Sequence, residues 1–184
     1  METQMKKHIV PLVCLTALAL TSPSGAAEVK PKAAGDASPM MTVDTPSFVK
    51  SAGSSNEFEI RSSELALQTS EKPDIKDAAQ MIIADHQKAG QKLKMLLEAK
   101  TGDPARTTLS PKHQKMLDQL SASKGAEFET LYVDMQAQAH MEAVGLFRTY
   151  AGSGDDQTLV GFAKETLPNL ETHLAHIKMV IAKE

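Results

Sequence analysis

Three histidines stand where a packed helix would ordinarily place an aliphatic residue. His86 lies in "DHQKAGQKL" (85–93), His140 in "QAQAHMEAV" (136–144) and His173 in "NLETHLAHI" (169–177). Glu59, in "NEFEI" (56–60), holds a similar place on an earlier segment. Imidazole nitrogen and carboxylate oxygen together bind zinc, iron or copper. One donor from each of four helices, meeting in a core, makes a site for a single transition-metal ion.

The spacing excludes the common di-metal arrangement. Such bundles place a Glu three residues before a His on two helices. Here the residues three before the histidines are Ile83, Ala137 and Leu170. A height argument then ranks the donors. Glu59 and His86 lie about 13 and 14 residues either side of a turn near 72, hence level at ~1.5 Å per residue. His140 and His173 lie about 13 and 20 residues either side of a turn near 153–154, a mismatch of ~9–10 Å. The expected site is therefore Glu59 and His86 with either His140 or His173. A structural reading stands beside it. Buried histidines also serve as hydrogen-bonded core residues, Glu59–His86 as a register-setting polar pair, and Tyr132 and Asp134 as partners for His173.

The elements that must carry these residues follow from periodicity. "DTPSF" (44–48) starts a helix, with Asp44 or Thr45 as cap and Pro46 in the first turn. Its inward seam is Phe48, Ala52, Ser55, Glu59, Ser62, Ala66 and Thr69, spaced 4-3-4-3. After Pro73 the seam is Ile75, Ala79, Ile82, His86, Ala89, Leu93 and Leu96. Gly102 and Pro104 break the pattern, and Ser110-Pro111 starts a short crossover helix bearing an exposed His113. A third long helix begins near Ala126 with the stripe Phe128, Tyr132, Met135, Ala139, Glu142 and Leu146; Gln136, His140 and Phe147 lie beside it. "GSGDD" (152–156) separates it from the last seam, Leu159, Ala163, Thr166, Leu170, His173, Ile177 and Val180, which Pro168 interrupts. The methionines are expected to fill the core. The fold expected is all-α: a ferritin-like four-helix bundle of two antiparallel hairpins, joined by a crossover containing a short helix.

Composition agrees. Hydrophobic residues make up 41% and aromatics 4%, without Trp, which suits helices packed through Ala, Leu, Ile, Val and Met better than a sandwich. A net charge of -3 leaves no basic footprint for nucleic acid. Lys6 and Lys7, an apolar run at 9–20 and small residues at 24–27 read as a signal peptide over 1–27. Residues 28–43 then form a flexible linker, and 44–184 the bundle domain. Cys14, the one cysteine, leaves with the leader, so the mature chain is expected to hold no disulfide. It is placed in the periplasm or outside the cell, with no membrane span after cleavage.

"FEIRSSELAL", "MIIADHQKAGQKL", "FETLYVDMQAQAHMEAVGLF" and "FAKETLPNLETHL" occur in this order. Together they resemble the bacterial family named domain of unknown function 4142 (DUF4142), over residues 47–182. The Asp85-His86 pair, Tyr132 with His140, and Leu167-Pro168 with His173 carry most of the likeness. The resemblance implies an exported ferritin-like bundle and no particular activity. No phosphate loop, nucleophile elbow or mature cysteine points to catalysis. The leading expectation is thus a non-enzymatic envelope module, binding or stress-related, with a metal-binding or redox protein as the alternative. The Ala-rich outer faces also allow a homo-oligomer.

Overall fold

Each helix starts where a cap and a restricted backbone coincide. Residues 42–102 and 108–183 are described in the computed structural model. The leader at 1–27, all of the linker but its last two residues, and Pro104 lie outside them. Asp44 caps α1 (Thr45–Thr69), its Oδ1 accepting from the Ser47 amide at 2.7 Å. Pro73 opens α2 (Pro73–Thr101), which ends at Gly102; its φ of 75° is the left-handed region glycine enters without Cβ strain. Ser110 caps α3 (Pro111–Ala122). α4 spans Gly125–Ser153. Asp156 caps α5 (Gln157–Ile181) by accepting from the Thr158 and Leu159 amides, and α5 runs on through Pro168.

α1 packs on α2 and α4, and α5 packs on the other side of the same two. End contacts fix the directions. At one end Ser70 Oγ donates to Glu129 (2.8 Å) and Lys183 reaches Asp74 (2.6 Å). At the other, Thr45 meets Tyr150 and Lys100 meets Asp156. Every neighbouring pair of long helices is therefore antiparallel, and α2 and α4 lie diagonally. The connection between them must return along the bundle; α3 supplies ~18 Å of that length, lying on α1 and α4.

The seams of α1, α2 and α5 face inward as expected, with half-buried positions at Thr69, Ala89, Leu96 and Thr166. α4 differs. Its buried face passes from Phe128, Tyr132, Met135 and Ala139 to Gln136, His140, Ala143, Phe147 and Tyr150, leaving Glu142 exposed on Lys112. A strict seven-residue repeat drifts around a straight helix by ~20° per heptad, so over 29 residues a neighbouring stripe takes over. The methionines also depart from expectation. Met135 is core, but Met95, Met141 and Met179 are more than half exposed, because they lie off the seams.

His113 is buried, contrary to its expected exposure. Ser54 Oγ accepts from the Ser110 amide (2.7 Å) and is hydrogen-bonded to His113 Nδ1 (2.7 Å), while Phe58 stacks on the ring. Small residues on α1 let α3 approach closely enough to turn His113 inward. Burial lowers its pKa, and the Lys112 charge adds to this against the opposing Ser54 bond, Glu59 and Glu142. The unfolded chain then binds the extra proton first. His113 contributes stability above about pH 6.5 that is lost as pH falls through its folded pKa. In His113→Gln, the melting midpoint should fall less between pH 7 and 5 than in the parent; equal slopes would contradict this.

Candidate metal centre

The middle of the bundle holds a polar layer between apolar clusters. On one side lie Ala78, Ile82, Ala137 and Ile177, with Phe58, Ile75 and Tyr132 beyond. On the other lie Leu93, Ala143, Phe147 and Leu170. Glu59 (1% exposed), His86 (4%), His140 (0%) and His173 (1%) all enter this layer, one from each long helix.

The three imidazoles form a near-equilateral triangle. Ring centroids are 5.5 Å apart for His86–His140 and 5.4 Å for both His86–His173 and His140–His173. Each ring offers a nitrogen within 4.8 Å of the other two. His140 and His173, expected at different heights, meet with Nε2 and Nδ1 3.4 Å apart. The height argument fails for two reasons. It counted the turn as helix, whereas α4 ends at Ser153 and α5 starts at Gln157. That leaves a difference of three residues, ~4.5 Å. Side chains also lean toward the N-terminus of their own helix. In an antiparallel pair this sends His140 away from the turn and His173 back toward it, closing the rest.

Hydrogen bonds around the triangle decide where the protons sit. His140 Nδ1 lies 2.9 Å from the Gln136 carbonyl oxygen, which can only accept, so Nδ1 carries the hydrogen. His173 Nε2 lies 3.1 Å from Asp85 Oδ2, again an acceptor. The nitrogens left over, His140 Nε2 and His173 Nδ1, are the two that face each other. Burial lowers the His140 pKa despite Glu59. Burial, joined by the charges of His86 and His140, lowers His173 to about 4. With both rings neutral and their other nitrogens protonated, the two facing nitrogens carry lone pairs, a donor arrangement suited to a cation.

His86 faces Glu59, with Nδ1 2.8 Å from Oε2. The contact is off the line of a hydrogen bond, and Glu59 Oε2 and both His86 nitrogens are buried without one. Glu59 Oε1 accepts from Ser55 Oγ (3.2 Å) and lies 3.7 Å from His140 Nδ1. Burial pushes the Glu59 carboxyl up, but His86 and His140 outweigh it and hold it at about 2. A buried carboxylate thus sits behind two of the three rings.

Tyr132 and Asp134 do not reach His173: Tyr132 bonds Ser63 Oγ (3.0 Å) and Asp134 is exposed. Asp85 takes that place. Its adjacency to His86 hid the role, since neighbours on a helix point ~100° apart and Asp85 addresses α5 instead. Gln136 also contributes unforeseen, through its backbone oxygen and through Nε2, which donates to Ser62 Oγ (2.7 Å).

The fold and site define an antiparallel four-helix protein with an imidazole–carboxylate centre in its interior. The chain belongs to the family described as domain of unknown function (DUF4142), whose model matches residues 30–180. A comparison with curated proteins finds no match. Among solved structures, CopM in the Cu(II)-bound form is similar with a TM-score of 0.66 at 18% identity, covering 78% of this chain and 99% of that one. CopM in the Ag-bound form obtained by soaking gives 0.64 at 17%, covering 78% and 98%. A DUF305 fragment from Deinococcus radiodurans gives 0.64 at 14%, covering 74% and 94%. At these identities the likeness is one of fold. No helix among the described residues is long and apolar enough to cross a membrane.

Proposed function

We propose that this protein is a non-enzymatic, exported binding module that holds one transition-metal ion on His86, His140 and His173. The facing lone pairs of His140 and His173, 3.4 Å apart, carry the reading. Metal–nitrogen bonds of ~2.0–2.1 Å place ligand nitrogens ~3.4 Å apart around a tetrahedral ion. Each ring has an acceptor beside its other nitrogen: Asp85 for His173, the Gln136 carbonyl for His140, Glu59 for His86. Outer acceptors of this kind orient ligating imidazoles and raise their basicity. Glu59, first expected as a ligand, fits better as the carboxylate that neutralises the ion and orients His86. Imidazole donors suit zinc, iron and copper alike; the similarity to CopM, described in Cu(II)- and Ag-bound forms, favours copper. Export rests on the leader pattern at 1–27.

Reconstitution tests this directly. The untagged mature protein should retain about one equivalent of Cu(II) after desalting, with nitrogen coupling in its electron paramagnetic resonance spectrum. Less than about a tenth of an equivalent of copper, zinc or iron would remove the metal. Asp85→Asn should weaken Cu(II) about 10–100-fold while the protein still folds, because Asp85 is part-exposed and meets the centre through His173. Chelator competition measures the change, and an unaltered affinity would show that Asp85 does not tune the centre.

A further inference from the structure

We propose that α3 is a flap that acid releases from the bundle, with His113 as the group that takes up the proton. The device lies in the fold itself and works in the metal-free protein. α3 is the least anchored helix. It holds to the rest through one short seam, His113, Leu117 and Leu120, spaced four and three, whereas each long helix buries six or more residues. Elements that bury so little open without the rest of the protein unfolding.

Two members of that seam are permanently apolar and the third is an imidazole. Leu117 and Leu120 enter the cluster of Phe58, Ala66 and Tyr132. His113 stands at the N-terminal end, where Nδ1 meets Ser54 Oγ at 2.7 Å and Phe58 lies against the ring with centroids 5.2 Å apart. The same Ser54 oxygen accepts from the Ser110 amide, so the first turn of α3 is fastened to α1 at one point. The tie from Lys112 to Glu142 on α4 is exposed on both sides and contributes little.

The charges facing His113 come from three helices. Burial, the largest effect, opposes an imidazolium; the Ser54 bond favours it, Lys112 on α3 itself opposes it, and Glu59 on α1 and Glu142 on α4 favour it without outweighing burial. A proton therefore binds better once α3 has left α1 and the ring is in water. The docked helix is favoured above the ordinary imidazole range, near pH 6.5, and loses ground below it. Release bares Phe58 and the outer wall of α1 and α4, the helices that carry Glu59 and His140.

Amide hydrogen exchange of the metal-free mature chain, corrected for the intrinsic rate at each pH, tests this. The released fraction, read from the amides of residues 115–122, should rise between pH 7 and pH 5 by up to about 25-fold, the limit for an imidazole whose free pKa is near 6.5. The amides of α2 and α5 should stay better protected than those of α3 at both pH values. His113→Gln keeps a polar partner for Ser54 but does not titrate, and should abolish the dependence on pH. His113→Leu is the second variant should glutamine leave α3 undocked throughout; it completes an apolar seam and should keep α3 protected at both pH values. Protection of α3 that does not change between pH 7 and pH 5, exchange of α3 in step with α2 and α5, or the same pH dependence in both variants would overturn the proposal.

Discussion

His140→Ala is expected to weaken Cu(II) binding by on the order of a hundredfold or more. Loss of an outer partner costs about 10–100-fold in such centres, and loss of a ligand costs at least as much. His140 is the ring for which the effect should be clearest. It is wholly buried, its tautomer is set by the Gln136 carbonyl, and its Nε2 faces His173. Chelator competition on the variant and its parent gives the ratio. The control is His113→Ala, which removes another buried imidazole, bonded to Ser54 and outside the triangle. Equal losses in the two variants would mean that the change reports general loosening of the bundle. An unchanged affinity in His140→Ala would remove His140 from the centre.

In the metal-free protein, His86→Leu should cost ~3–5 kcal/mol, and pairing it with Glu59→Leu should restore much of the loss. The single change leaves a buried carboxylate without its closest polar neighbour, the most damaging way to break an interior polar pair. Ser55 and His140 remain near Glu59 and soften the effect, so the lower end of the range is expected. The double change replaces two polar groups by two that match the apolar clusters on either side, a substitution that is often neutral or stabilising. Urea unfolding of the four proteins closes the cycle. A His86→Leu variant as stable as its parent would show that His86 does not hold the Glu59 charge in the folded state. The same variant is informative with copper present, because metal bound only to the folded state adds stability in proportion to the logarithm of its free concentration over Kd. The parent should gain on adding Cu(II), and the variant much less.

Much of this protein is determined by local chemistry that a sequence displays. Apolar residues recurring at four and three identify α1, α2 and α5 and assign Glu59, His86 and His173 to their inner faces, because that spacing is the pitch of a packed helix. Asp44, Pro73, Ser110 and Asp156 locate the starts of helices, since each satisfies or avoids an orphan amide. The likeness to DUF4142, legible in four blocks, agrees with the family match.

What periodicity does not carry is height along the axis. Whether His140 and His173 share a layer depends on how residues 154–156 cross between helices and on which way each side chain leans; neither leaves a repeat in the sequence. The inward stripe of α4 likewise depends on its drift against two neighbours over 29 residues. Asp85 became a partner of His173, and His113 turned inward on Ser54, only because a distant helix supplied the other half of each contact. Helix faces were written in local spacing, whereas the convergence of three imidazoles on one point was decided by packing between segments far apart in the chain.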